Sequence, residues 1–233
     1  MLKALILSQR RSGSTFGVKT TKVALGLNLN TQENWKPIRP YQRCEELLET
    51  NYITLRWKLW RANTHIIKIE EPSSHLELVD HLLANFPRVK AITTIRNIES
   101  LVASRMALKQ AWGRSTTAEK VIQEWVAHYH FLEDFIKTYP GKLFIINIDQ
   151  PQTFNASEFC RFLNVSLTPA FQTYSEQFLP VNTLDNQARK HGLKYAKETY
   201  HQDYSKEALI ELFPDLPKYE ILFQKIFEIS DDL

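Results

Sequence analysis

The chain has 233 residues, 43% of them hydrophobic and 24% charged, which is the balance of a water-soluble globular protein with enough apolar side chains for a continuous core. Six glycines and ten prolines exclude a low-complexity or collagen-like chain, and a net charge of +3 argues for local basic sites, not for a face devoted to nucleic acid. Two cysteines far apart, Cys44 and Cys160, offer neither a disulfide framework nor a paired metal knuckle and suit a reducing compartment.

In chain order, the first expected strand is Ala4 to Leu7, followed by a polar, doubly basic loop and a helix from about Ser14 through Ala24. Leu5-Ile6-Leu7 is too short for a signal h-region or a membrane span, so a cytoplasmic protein with no membrane span is expected. Residues 28 to 42 read as a loop over a site. Next comes "LRWKLWRANTH", which concentrates Arg56, Trp57, Lys58, Trp60 and Arg61. It reads either as an acceptor-binding run or as an amphipathic helix with its tryptophans in the core. Ile66 to Glu70, Val89 to Ile95 and Leu143 to Ile148 are short, Ile/Val-rich strands. Helices are expected over about Ser74 to Asn85 and Ile98 to Trp112. A third opens on a capping box of Thr116 and Glu119 and stops at Pro140-Gly141. Residues 156 to 163 and 206 to 229 are also helical in pattern, and 172 to 190 read as a second loop over a site. Strands alternating with helices predict an α/β fold of three layers, a mainly parallel sheet with helices on both faces, in one domain spanning residues 1–233.

A strand, a short loop and a helix N-terminus make an anion site, because free backbone N–H groups and the helix dipole converge there. Ser8 to Thr15 keeps the spacing, the second glycine and the final hydroxyl of the Walker A pattern but lacks its lysine: Ser14 stands there, and the positive charge has moved to Arg10 and Arg11. That change disfavours phosphoryl transfer from ATP.

The run Arg11-Ser12-Gly13-Ser14-Thr15-Phe16 resembles the phosphosulfate-binding loop of sulfotransferases that use 3′-phosphoadenosine 5′-phosphosulfate (PAPS), with Arg10 in place of the usual proline. A second element of that family, a strand ending in Arg, then Asp or Asn, and a Ser eight residues after the Arg, is matched by Arg96, Asn97 and Ser104. "KLFIINIDQ" with the following helix is similar to the family's late strand and acidic turn, although Asn147 stands where many members have a tyrosine. Arg189-Lys190-His191-Gly192 resembles its Arg-Lys-Gly clamp with one residue inserted.

The resemblance implies the family's P-loop-NTPase-like architecture. It implies that Arg11 contacts the bridging or sulfuryl oxygens, that Ser12, Gly13, Ser14 and Thr15 hold the 5′-phosphate, and that Phe16 stacks on adenine. Arg96, Ser104, Arg189 and Lys190 would then bind the 3′-phosphate. In "IIKIEEP" strand alternation puts Lys68 and Glu70 on one face and Glu71 on the other. By position in the family, Glu70 becomes the general base and Lys68 stabilises the transferring group, with Glu71 as the other carboxylate able to serve and a plain ion pair as the bland alternative. His128 and His130, two apart on a helix, face different ways and make no metal pair, so no metal is expected.

The implied activity is transfer of a sulfuryl group from PAPS to a hydroxyl or amine of a small-molecule, lipid or saccharide acceptor, releasing 3′-phosphoadenosine 5′-phosphate (PAP). No nucleic-acid partner is expected, and the sequence leaves the oligomeric state open. A divergent P-loop nucleotide kinase or NTPase and a noncatalytic anion- or nucleotide-binding module are the alternatives.

Overall fold

A computed structural model of the chain describes residues 2–9, 12–29, 34–38, 45–48, 51–112, 116–177 and 204–231. Its centre is a sheet of five parallel strands: β1 Ala4–Ser8, β2 Trp35–Ile38, β3 Ile66–Glu70, β4 Lys90–Ile95 and β5 Leu143–Asn147, in the order β2-β3-β1-β4-β5. All four expected strands are present. The fifth, β2, falls inside the stretch read as a loop over a site. Its sequence, WKPI, has no apolar alternation and carries Pro37, which is tolerated because β2 is an edge strand.

Strand alternation sorts the core into two clusters. Ala4, Ile6, Ile66, Ile92 and Ile146 pack with Val18 of α1 (Ser14–Ala24), and with Phe159 and Phe171 from α7 (Ala156–Leu163) and α8 (Pro169–Glu176). Leu5, Leu7, Ile67, Ile69 and Ala91 face the other way. There they meet α3 (Tyr52–Arg61), α4 (Leu76–Asn85), α5 (Ile98–Trp112) and α6 (Ala118–Thr138). A short α2 (Glu45–Leu48) and two C-terminal helices, α9 (Lys206–Leu212) and α10 (Leu216–Asp231), add Leu47, Leu209, Leu216 and Ile226 to this cluster. The β1-to-β2 connection runs one way along the sheet and the later ones run back, so right-handed crossovers put α1 on one face and α3 to α6 on the other. The expected α/β, three-layer, parallel-sheet architecture is the observed one.

Several boundaries differ from expectation for local reasons. Thr117, not Thr116, caps α6, accepting the Lys120 N–H at 3.3 Å. A 3-10 turn at Pro72–Ser74 precedes α4. The helix expected over 206–229 is broken between α9 and α10 at Pro214, whose ring disfavours helical geometry at Phe213 (φ −143°). Helix α8 occupies the start of the 172–190 stretch read as a loop. Among the described residues no helix is long and apolar enough to cross a membrane.

His128 is buried on α6, its Nε2 3.5 Å from Thr93 Oγ1 and its Nδ1 without a partner among the described residues, whereas His130 is exposed, so the two do face different ways. Burial pushes the His128 pKa down to about 3 from 6.5. The folded-state value lies below the unfolded one, so the unfolded chain binds the extra proton between pH 6.5 and about 3, and stability falls as pH drops through that window. Urea melts at pH 7 and pH 4.5 should therefore show an acid loss smaller by about 2 kcal/mol in His128→Phe than in wild type.

Candidate active site

The carboxyl ends of β1, β3, β4 and β5 share one edge of the sheet. The registers pair Ser8 with Glu70 on one side and with Thr94 on the other, and Ile95 with Asn147. Because α1 leaves β1 on one face and the following crossovers return on the other, this edge opens a crevice around β1, the place where open α/β sheets take ligands.

The β1–α1 loop is held from below. Ser12 Oγ donates to the Gln9 carbonyl at 2.8 Å and lies 3.3 Å from Thr94 Oγ1. Gly13 is the N-cap of α1 at φ 90°, with no side chain capping the helix, so the Ser14 and Thr15 N–H groups have no intrahelical acceptor. A Cβ on Gly13 would stand 2.7 Å from Ile148 Cγ1, and one on Gly17 would stand 3.0 Å from Thr94 Cγ2. Both glycines let α1 sit close over the strand ends. Gly13→Ala is expected to cost about 2 kcal/mol, the left-handed strain plus overpacking against Ile148. Gly26→Ala, also at positive φ (66°) but facing open space, should cost about half that, and paired thermal melts measure the difference.

Ser8, Lys68, Glu70 and Thr94 all point to the α1 face, as alternation requires. Lys68 is buried; its Nζ donates to Glu70 Oε1 at 2.6 Å and to Ser14 Oγ at 3.3 Å, and lies 5.6 Å from the Trp35 ring centroid. Lys68 and Glu70 thus form an ion pair tied directly to the first residue of α1. Glu71 lies past the end of β3 at φ 56°, before Pro72, so strand alternation no longer sets its direction; its N–H donates to the Ser8 carbonyl at 2.9 Å.

Across the crevice, Arg96 follows the last residue of β4. Its Nε donates to Asp149 Oδ1 at 3.4 Å, and Asp149 Oδ2 accepts the Asn97 N–H at 2.6 Å. The Arg96 carbonyl accepts from Trp125 Nε1 at 3.2 Å and from the Tyr129 hydroxyl at 3.4 Å, which fixes the backbone independently of the side chain. Among the described residues Asp149 is the one partner of the guanidinium. Asn97 Oδ1 accepts the Ser100 N–H at 2.8 Å and opens α5. Ser104, seven residues later, is buried on the same helical face.

Of the residues singled out in the sequence, Ser12, Gly13, Ser14, Thr15, Lys68, Glu70 and Arg96 are brought to this edge. Phe16 is half-buried against the α1-face cluster. Arg10, Arg11, Arg189, Lys190 and Cys44 lie outside the described residues. Trp57 and Trp60 are not core residues: they are exposed on α3, whose buried Leu55 and Leu59 pack on the sheet face opposite Lys68 and Glu70. Sequence reasoning missed Asp149, Trp35 and Gln9. Asp149 had one available signal, a carboxylate just past a strand end. Among the described residues Ser8 Oγ and Gln9 Nε2 are buried without a partner, so the cradle under the loop holds polar atoms available to a ligand. Among the described residues no cluster of three or more His, Cys, Asp or Glu side chains could hold a metal ion.

No protein-family model matches the sequence, and no curated protein matches it significantly. Solved structures do resemble it. A crystal structure of retinol dehydratase in complex with retinol and PAP aligns with a TM-score of 0.56 at 12% identity, covering 99% of this chain and 83% of that one. The sulfotransferase domain from the curacin biosynthetic pathway aligns at 0.46 and 15% identity, covering 88% of this chain and 96% of that one. Sulfotransferase STF1 from Mycobacterium tuberculosis H37Rv aligns at 0.48 and 13% identity, covering 82% and 77%. The chain shares its fold with retinol dehydratase.

Proposed function

We propose that this chain is a PAPS-dependent sulfotransferase that moves a sulfuryl group to a hydroxyl or amine of a small acceptor. One observation carries the reading. An uncapped helix N-terminus, a buried lysine–glutamate pair and an arginine steered by a carboxylate meet at one sheet edge, in a fold shared with a protein that binds PAP.

The N–H groups of Ser14 and Thr15, with their hydroxyls, bind the 5′-phosphate end, and Arg11 adds charge there. Gln9 Nε2, buried and without a partner among the described residues, is a further donor under the loop. Arg96 turns its terminal nitrogens to the 3′-phosphate while Asp149 holds Nε, with Ser104, and by the resemblance Arg189 and Lys190, as further ligands of that phosphate. The donor supplies an electrophilic sulfur. The acceptor oxygen or nitrogen bonds to that sulfur, the bond between sulfur and the 5′-phosphate oxygen breaks, and PAP leaves with the bonding electrons. Glu70 takes the acceptor's proton. Lys68, bonded to both Glu70 and Ser14, shifts its charge toward the sulfuryl and bridging oxygens as negative charge builds on them. The retinol bound by retinol dehydratase supports a small-molecule acceptor.

Thermal shift tests this reading. PAP at a hundredfold excess over its Kd should stabilise the fold by about 2.7 kcal/mol with no metal added, ATP with magnesium much less, and a single-stranded oligonucleotide not at all. Stabilisation by ATP with magnesium exceeding that by PAP would move the chain to the kinase reading.

A further inference from the structure

Helix α3 carries more apolar surface than the core uses. Leu55 and Leu59 are buried, but Ile53, Trp57 and Trp60, spaced i, i+4, i+7, form a second stripe that is 78%, 51% and 68% exposed. Beside it lies a groove of about 270 Å³, walled by this stripe with Leu2 and Phe86. Leu2 leads into β1, and Phe86 closes α4 ahead of β4. The groove therefore sits at the amino edge of the sheet, at the opposite end of the strands from the crevice.

The same edge is basic. Helix α3 carries Arg56, Lys58 and Arg61 and no carboxylate. The segments entering β1, β3, β4 and β5 (residues 2–3, 62–65, 86–89 and 139–142) add Lys3, His65, Arg88 and Lys142, again without Asp or Glu. Lys90, the first residue of β4, donates to the Gly141 carbonyl at 3.0 Å. Burial first, and then the nearby Lys142 charge, hold its ammonium below the ordinary lysine range. Asp80 on α4 accepts the Tyr139 hydroxyl at 2.8 Å. The whole chain is only +3, so this concentration of cations is local.

Three classes of partner could meet such a face. A second copy of this chain would set the basic strip against itself. A nucleic acid would use the cations and the tryptophan rings, but not Ile53, an aliphatic side chain that offers no stacking face and is the most exposed of the stripe. A bilayer uses all of them: cations at anionic headgroups, tryptophans at the interface, and an aliphatic residue at the acyl boundary. The Arg61 guanidinium lies 5.2 Å from the Trp57 ring centroid, so charge and ring are already paired on one helix face. We propose that the exposed face of α3, with the basic amino edge of the sheet, docks on an anionic phospholipid bilayer. Docked this way, the carboxyl-edge crevice faces water, and its ligands are reached without leaving the membrane.

Cosedimentation of the full chain with vesicles tests this, using phosphatidylcholine alone or mixed with phosphatidylserine. The wild type should bind the mixed vesicles at least about tenfold better than the neutral ones, and the gap should close in high salt. Trp57→Ala/Trp60→Ala should lose about tenfold in binding to the mixed vesicles while its circular dichroism and melting temperature stay at wild-type values. Arg56→Glu/Arg61→Glu, altering exposed residues only, should lose binding as well and guards against a packing defect in the first variant. The proposal is overturned by absent binding, by equal binding to neutral vesicles, or by a double tryptophan variant that binds like wild type. It is equally overturned if vesicles fail while an oligonucleotide binds, or if the tryptophans mediate a concentration-dependent dimer in place of vesicle binding.

Discussion

An Arg96→Ala variant is expected to bind PAP about 100-fold more weakly than wild type while keeping its affinity for adenosine 5′-monophosphate, which lacks the 3′-phosphate. The factor corresponds to about 2.7 kcal/mol, the scale of charge-assisted hydrogen bonds from one guanidinium to one phosphate. The structure lets this loss be separated from unfolding. Trp125 and Tyr129 bond to the Arg96 carbonyl, which alanine retains, and Asp149 keeps the Asn97 N–H at 2.6 Å. The melting temperature should therefore move little, and calorimetric titration of both nucleotides on both proteins reads the effect directly. Equal loss for PAP and adenosine 5′-monophosphate would place Arg96 away from the 3′-phosphate. Asp149→Asn should fall between wild type and Arg96→Ala, since asparagine has one acceptor oxygen where Asp149 uses two, for Arg96 Nε and the Asn97 N–H, and the guanidinium is steered less firmly.

Glu70→Gln is expected to leave PAP affinity within about twofold of wild type and to lower kcat by about 10²–10⁴-fold, the range general-base catalysis contributes. Glutamine has nearly the shape of glutamate, and its amide oxygen can still accept from Lys68, so Lys68 remains tied to Ser14 and the floor of the crevice survives. What is lost is the ability to take a proton. Transfer of label from PAPS to an acceptor found by screening measures it, with Glu71→Gln as the companion variant, expected to turn over near the wild-type rate. Wild-type turnover in Glu70→Gln would assign proton removal to Glu71 or to solvent.

Much of the fold could be read from local pattern. Four of the five strands are short Ile/Val runs between polar segments, and α1, α5 and α7 occupy the residues their periodicity marks out. The misses have physical causes. WKPI is a strand because β3 offers it a parallel partner, and an edge position forgives Pro37; neither fact is local. Thr116 and Thr117 are both competent caps by residue type, and the helix begins after the second. Of the two readings of the α3 tryptophans, the core one fails because two leucines suffice to seat the helix.

The candidate site divides the same way. The loop, Lys68, Glu70 and Arg96 were legible because each lies at a strand end, and a parallel sheet brings such ends to one edge. The tie between Arg96 and Asp149 was not, because it depends on β5 lying beside β4 with Ile95 opposite Asn147. Nor was the bond from Lys68 to Ser14, which joins residues 54 positions apart in sequence.

The central claim is that one crevice grips both phosphates of an adenosine nucleotide, and a crystal structure of the PAP complex tests it most directly. The account predicts the 5′-phosphate within hydrogen-bond distance of the Ser14 and Thr15 amides and the 3′-phosphate within reach of the Arg96 terminal nitrogens, Asp149 still holding Nε. PAP seated with neither phosphate at these groups, or bound away from the carboxyl edge of the sheet, would contradict it.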